Sequence, residues 1–267
     1  MKLAPGMIGV VTGAASGLGR SLALQFAARG LTVVLADVER AGAHALGVPT
    51  DVRSGDQVAA LAAVTLERFG RIDVVVNNAG VSVMPGPMWS YEVNDWEWVL
   101  SVNLWGVVHG VRAFVPHLVA QNSGHVVNTA SMAGVSAGPC LGAYTTSKHA
   151  VVGLSESLAA DLAIAAPGVG VTVVCPGQML TNIVTANRNR PENFAGVDRA
   201  FDDAEIRAVT EWMATVSGPE ITADAAAAAV IDGIENNRLH VAPNGSITGV
   251  RTRVERLLDD LAAGLAP

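Results

Sequence analysis

Thr12-Gly13-Ala14-Ala15-Ser16-Gly17-Leu18-Gly19 follows directly on the apolar run Met7–Val11. A β-branched run that breaks into glycines and resumes as a helical pattern reads as a strand-to-helix turn. Glycines there let the backbone bend sharply and approach a pyrophosphate closely. The helix that follows presents free N–H groups and its positive dipole end to the anion. Gly13, Ser16, Gly17, Leu18 and Gly19 are therefore the candidate phosphate contacts. The spacing is G-x-x-x-G-x-G rather than the generic G-x-G-x-x-G, and the same letters also suit a plain turn.

Outward from this turn, apolar runs alternate with longer helical patterns. Met7–Thr12, Leu31–Asp37, Ile72–Asn77, Gly124–Ser131 and Val169–Cys175 carry the continuous Val/Ile/Leu signature of strands covered on both faces. Gly17–Arg29, Ser54–Phe69, Asn94–Gln121 and Gly142–Ala165 read as helices. Alternating β and α elements predict a Rossmann-type α/β fold: a doubly wound parallel sheet of about seven strands with helices on both faces. After Pro176 come a weakly amphipathic segment at 182–216 and a helix at Ala223–Ile234 capped by Thr222. A short strand near Leu239–Ala242 and a final helix from about Val250 complete the chain. Without a low-complexity linker or repeat, residues 1–267 read as one domain, with 182–216 as a substrate cover.

Asp37 ends the second strand 18 positions after Gly19, close to the offset at which a carboxylate meets a ribose. There it accepts hydrogen bonds from both ribose hydroxyls of NAD and repels the 2′-phosphate of NADP. Arg20 and Arg40 lie near enough to allow some NADP tolerance. Asp51-Val52 follows a short apolar segment and is a candidate to face the adenine. Asn77-Asn78-Ala79-Gly80 closes the next strand, and ligands of open α/β sheets sit outside such carboxyl ends.

Tyr144 and Lys148 are four apart at the start of a predicted helix, so phenol and ammonium share one face. A nearby cation favours phenolate, which moves tyrosine toward general acid/base work near neutrality. Ser131 brings a hydroxyl to the same rim of the sheet, where it can hydrogen-bond an oxygen that gains negative charge. Asn103 is a polar residue in an apolar helix and must be satisfied, either in a functional role or as a structural hydrogen bond.

Taken in order, T-G-x-x-x-G-x-G, Asp37, Asn77-Asn78-Ala79-Gly80, Asn103, Ser131, Tyr144-x-x-x-Lys148 and Pro176-Gly177 resemble the short-chain dehydrogenase/reductase family. The resemblance covers about residues 7–181. It implies an oxidoreductase acting on CH–OH groups, with NAD favoured over NADP and Tyr144 as acid/base. It further implies that Lys148 lowers the Tyr144 pKa and holds the nicotinamide ribose, that Ser131 positions the substrate oxygen, and that Asn103 sustains a water-linked proton path. Asn78, Ala79, Gly80, Pro176, Gly177 and Thr181 would then complete the cofactor site. The resemblance also implies a homotetramer or homodimer formed partly by the long helix. One departure stands out: only thirteen residues separate Asp37 from Asp51. The segment Val38–Leu46 therefore forms little more than one helical turn, leaving the sheet edge barer.

Met84, Pro85, Trp89, Met132, Cys140, Leu141 and Met179 are candidates to shape an apolar pocket, which favours an apolar or cyclic secondary alcohol or ketone. Trp96, Trp98 and Trp105 read as packing or interface residues, and Gly106 and Gly110 would allow close helix–helix approach. An NADP-dependent carbonyl reductase and a non-catalytic NAD(H) sensor remain the alternatives.

Composition narrows the field further. A net charge of −7 argues against nucleic acid. Two cysteines without C-x-x-C spacing and six histidines without an HExxH pattern predict no disulfide framework and no metal site. The start is too short in apolar residues for a signal peptide, and no uninterrupted apolar run reaches a membrane span. The expectation is a cytoplasmic protein without a membrane or nucleic-acid partner, acting on a small molecule.

Overall fold

The computed structural model describes residues 1–39, 46–196 and 202–264. Seven parallel strands form one sheet: β1 (Ile8–Thr12), β2 (Thr32–Asp37), β3 (Leu46–Pro49), β4 (Val74–Asn77), β5 (Gly124–Thr129), β6 (Val169–Val174) and β7 (His240–Val241). Their spatial order is β3-β2-β1-β4-β5-β6-β7. The winding direction reverses between β1 and β4, which opens a crevice above the carboxyl ends of those two strands.

Helices cover both faces because the strand residues alternate in direction. Val10, Val34, Val75 and Val126 join one core cluster, which packs with α2 (Gly55–Phe69), α3 (Val93–Leu100), α4 (Gly106–Gln121) and α5 (Gly142–Ala165). Val11, Val33, Val74, Val76 and Val127 join a second cluster under α1 (Gly17–Ala28) and α7 (Ala223–Glu235). A third cluster lies beneath α6 (Asp203–Val216) and the start of α8 (Ile247–Gly264).

Local signals set most boundaries. The Ser54 hydroxyl accepts from the Gln57 amide at 3.3 Å and starts α2, which ends at Gly70 in the left-handed region. Thr222 caps α7 through the Ala225 amide at 3.2 Å. The predicted long helix is interrupted: a π-helical turn at Ser101–Trp105 separates α3 from α4. Widened turns of this kind reorient side chains, often at functional sites.

Two expectations need correction, and a third falls mostly outside the described residues. The sheet edge is not bare, because β3 pairs with β2 from Val34↔Leu46 to Asp37↔Pro49. The helical turn expected at Val38–Leu46 lies mostly outside the described residues, as does Arg40. Gly106 and Gly110 do not face another helix: Gly110 packs on the end of β4, and Gly106 on the loop that follows β3. A Cβ on Gly106 would come 2.9 Å from Val52 Cγ2, and one on Gly110 would collide with the Asn77 amide. The span Val93–Gln121 is long and apolar enough to cross a membrane by length and composition; here those two glycines seat it on Val52 and on Asn77 of β4.

Candidate active site

The crevice between β1 and β4 is knitted by backbone and short side chains. Thr12 Oγ1 accepts from the Asn78 amide at 2.9 Å and the Ala79 amide at 3.1 Å. Asn78 Nδ2 donates to the carbonyls of Thr12 at 3.0 Å and Gly13 at 3.4 Å, and its Oδ1 accepts from Thr129. No Cβ fits on Gly13, which would meet Ala79 Cα at 2.8 Å, or on Gly19, which would strike the Gly13 carbonyl. These glycines are needed so that the turn can close on Asn78 and Ala79. Asn77 points the other way. Its Nδ2 donates to Asn128 Oδ1 at 2.9 Å beneath α4, so it takes no place in the crevice.

A dinucleotide fits what the crevice offers. Ser16, the N-cap of α1, makes no side-chain cap bond, so the first-turn amides of Gly17, Leu18 and Gly19 have no such acceptor. Asp37 stands at the end of β2, with Oδ2 accepting from the Ala15 amide at 2.8 Å and Oδ1 from the Glu39 amide at 2.9 Å. Each oxygen keeps a further lone pair for a ribose hydroxyl. Anion donors and a diol acceptor therefore flank the same turn.

Asp51 and Val52, the residues expected to face the adenine, both make contacts within the chain. The Arg53 guanidinium holds both Asp51 oxygens, at 2.6 Å in the closest pair. Burial would raise the Asp51 pKa, but the Arg53 hydrogen bonds and charge outweigh it and hold the carboxyl below its ordinary range. The Val52 side chain is buried under Gly106, and its carbonyl meets His109 Nδ1 at 2.9 Å.

On the other side of the crevice, α5 carries Tyr144 and Lys148. The short turn Met132–Gly134 lies directly on this helix, since a Cβ at Gly134 would come 2.7 Å from the Lys148 carbonyl oxygen. Ser131 lies past the end of β5 and caps that turn, accepting from the Ala133 amide at 3.1 Å. Its hydroxyl donates to the Pro176 carbonyl at 3.5 Å and lies close enough to the Tyr144 phenol to favour its ionised form. Lys148 is buried, donates from Nζ to the Thr129 carbonyl at 2.8 Å, and lies 5.6 Å from the Tyr144 ring centroid.

Burial lowers the Lys148 pKa to about 8. Burial also raises the Tyr144 pKa, against the pull of the Ser131 hydroxyl. Without ligand, desolvation thus outweighs the stabilisation of phenolate that the Lys148 cation was expected to give. Cys175 sits nearby with its thiol pushed up to about 12 by burial, so it stays protonated at neutral pH.

Asn103 sits inside the π turn with no exposed surface. Its Oδ1 accepts from the Val81 amide at 2.8 Å, and its Nδ2 donates to the Val81 carbonyl at 3.0 Å and to Ser147 Oγ at 3.0 Å. It fixes the chain just after Gly80, whose added Cβ would lie 3.5 Å from both Asn103 Oδ1 and Lys148 Nζ. Pro176 is buried, and the Gly177 amide donates to Asn244 Oδ1 at 2.9 Å. Thr181 reaches across to α1, where a Cβ on Gly17 would be 3.3 Å from Thr181 Cγ2.

Where α5 begins, two residues before Tyr144, a cavity of about 300 Å³ opens, lined by Pro87, Met88, Trp89, Gly138, Pro139, Cys140 and Gly142. Trp89 is 89% exposed at its mouth. Tyr91 donates to the Cys140 carbonyl at 2.8 Å, holding one wall to the other. Of the seven pocket candidates, Trp89 and Cys140 line the cavity, while Met84, Pro85 and Leu141 flank its lining in sequence without joining it; Met132 is in the cluster under α6, and Met179 packs toward α1 and α7. Trp96 meets Tyr91 edge-on, Trp98 is buried, and Trp105 is exposed beside His109.

Several organising residues gave no sequence signal beyond ordinary loop chemistry. Asn244 ties Gly177 to the Gln178 and Pro219 carbonyls. Glu39 is held by Arg188 at 3.1 Å and Asn189 at 2.9 Å, which draws the segment after Thr181 toward the end of β2. Burial weakly opposes the Asn189 and Arg188 contacts, which together keep the Glu39 carboxyl below its ordinary range. Trp212 on α6 covers Gly138 so closely that no Cβ fits there. Among the described residues no His/Cys/Asp/Glu group could hold a metal ion.

Residues 8–192 match the family model described as short chain dehydrogenase. A dehydrogenase of Xanthobacter autotrophicus named for 2-(R)-hydroxypropyl-CoM is 36% identical over 244 residues, covering 85% of this chain and 97% of that protein. The 3beta-hydroxysteroid dehydrogenase 2 of Eggerthella lenta is 32% identical, covering 82% and 94%. A short-chain dehydrogenase/reductase from Burkholderia phymatum, solved in complex with NAD, superposes with a TM-score of 0.88 at 38% identity and covers 97% of each chain. The chain belongs to the short-chain dehydrogenase/reductase family. It is an oxidoreductase of the CH–OH class that uses a nicotinamide cofactor.

Proposed function

We propose that this chain is an NAD-dependent enzyme that moves a hydride between nicotinamide and an apolar or cyclic secondary alcohol or ketone. The observation that carries the reading is the meeting of Tyr144, Ser131 and Lys148 close to the start of α5, where the cavity lined by Pro87, Met88 and Trp89 opens. Bound NAD supplies the hydride acceptor in oxidation, and its reduced form the donor in the reverse direction. Tyr144 takes the substrate hydroxyl proton as the C–H bond breaks, and returns it in reduction. Ser131 hydrogen-bonds the substrate oxygen and keeps it against the phenol. Lys148 holds its positive charge beneath the ring and binds the nicotinamide ribose, while Asn103 keeps the backbone at Val81 in place and sustains the proton path to Lys148.

The apolar lining and modest volume of the cavity support a small hydrophobic substrate. The names of two relatives, for a hydroxypropyl and a hydroxysteroid compound, support a hydroxyl-bearing one. Asp37 supports NAD, because a 2′-phosphate brought beside its carboxylate would be repelled. Arg188 supports the second reading, an NADP-dependent carbonyl reductase, since it is a cation close to the end of β2; its pairing with Glu39 counts against that. We also read residues 1–267 as one cytoplasmic domain in which 182–216 covers the substrate. The exposed Trp105, at the end of the π turn just before α4, supports assembly into a homotetramer or homodimer.

Thermal-shift titration with NADH and NADPH tests the cofactor, because a ligand of the native state raises its stability by mass action. Stabilisation by NADH alone in the parent chain, lost discrimination in Asp37→Ala and retained NADH binding with about a thousandfold lower turnover in Tyr144→Phe are expected. Equal stabilisation by NADPH would overturn the role of Asp37. Near-normal turnover of Tyr144→Phe would overturn the mechanism. Cofactor binding with no net NADH release from any secondary alcohol would favour a sensor.

A further inference from the structure

The helix α8 is anchored at only one end. A Cβ at Gly249 would come 2.7 Å from Val216 Cγ1, and Val250 packs on the cluster under α6. From Arg251 to Gly264 every residue is exposed. Val254, Leu257, Leu258 and Leu261 nevertheless fall within about 100° of helical arc, the width of a core-facing stripe. A stripe of this kind left in water gains the usual hydrophobic free energy by meeting another surface.

The charges beside the stripe identify that surface. Arg253 and Asp260 flank the same edge, seven residues apart, with the arginine toward the start and the aspartate toward the end. Two copies of α8 packed antiparallel bring Arg253 of each against Asp260 of the other. Parallel packing places both beside the opposite edge of the stripe, where Leu258 stands, and leaves them unmatched. Among the described residues Asp260 has only a loose 3.7 Å pair with Arg256 in open solvent. Three arginines and three carboxylates between 251 and 260 cancel, whereas a helix built to lie on anionic lipid carries a basic polar face.

We propose that α8 is a self-association surface that pairs antiparallel with α8 of a second copy of this chain. This interface is separate from the one suggested by Trp105 at the start of α4, and the paired leucine substitutions distinguish the two.

Sedimentation equilibrium of the full chain, with circular dichroism as the folding control, tests the pairing. The parent chain is expected to associate, and Leu257→Asp/Leu258→Asp to lose one association step, with that step weakened by about a hundredfold. Arg253→Glu and Asp260→Arg should each weaken it about tenfold, and the combined Arg253→Glu/Asp260→Arg variant should restore it. A monomeric parent chain would overturn both interfaces. Association untouched by the paired leucine substitutions would overturn the α8 surface alone and leave the Trp105 interface standing. Failure of the charge swap to restore association would overturn the antiparallel pairing. Vesicle binding by a parent chain whose mass shows no α8-dependent step would assign the stripe to lipid instead.

Discussion

Lys148 donates a hydrogen bond from Nζ to the carbonyl oxygen of Thr129, 2.8 Å away at the end of β5. The bond aims a buried ammonium at the rim of the crevice and gives it one of the partners that burial otherwise denies. A carbonyl is a neutral partner, so desolvation still dominates and the ammonium gives up its proton at about 8. The partly buried Tyr144 shifts the opposite way, so desolvation pushes both groups toward their neutral forms.

From this follows a pH profile. The kcat/KM for the cofactor reports groups of the free enzyme. It is expected to be flat below pH 8 and to fall above it as Lys148 loses its charge. Lys148→Arg stays charged throughout, so the limb near pH 8 should vanish even if overall activity drops. Persistence of that limb in the arginine variant would show that another group titrates there.

Gly138 and Trp212 lock α6 over the cavity wall. A Cβ at Gly138 would overlap the indole, so Gly138→Ala must push α6 outward. Overpacking of this sort costs about 1–3 kcal/mol. Steady-state kinetics should show the substrate KM rising about tenfold or more while the KM for the cofactor stays within about twofold. A parallel rise in both constants would place the damage at the cofactor crevice and contradict this picture of α6.

His125 provides a stability prediction far from the crevice. Its ring is buried in β5, with Nε2 2.8 Å from Thr172 Oγ1, and that hydroxyl donates to the Arg238 carbonyl. One hydroxyl has one proton to give, so Nε2 carries the hydrogen and Nδ1 is bare. Protonating Nδ1 buries a charge, and burial lowers the pKa to about 4. The folded value lies below the unfolded one, so the neutral ring is compatible with full stability above about 6.5. Stability should fall by up to about 3 kcal/mol between pH 6.5 and 4. Urea unfolding across this range measures it. His125→Gln should lack that part of the slope, and an identical slope in the variant would assign it to other groups.

Much of this protein can be read from its sequence because the responsible interactions are local. Val/Ile/Leu runs of strand length, the Ser54 and Thr222 caps and the stop at Gly70 depend on near neighbours, and each acts where its letters stand. The four-residue spacing of Tyr144 and Lys148 is likewise a property of one helix. Spatial order is harder to read: β3 has only four residues with alternating exposure, and its strand identity rests on pairing with β2 rather than on its own letters.

Tertiary structure decided where side chains of similar sequence character were used. Asn77 and Asn78 are adjacent, yet strand alternation turns one under α4 and the other to the crevice. The glycines of α4 could have faced a helix or the sheet, and only packing shows them against Asn77 and Val52. The balance between desolvation and charge at Tyr144 and Lys148 depends on burial by distant segments, which no spacing encodes. The motif residues and their order came from the sequence by itself. The environment that tunes them came from elements far apart in the chain, because burial and long-range contact exist only once the sheet has assembled.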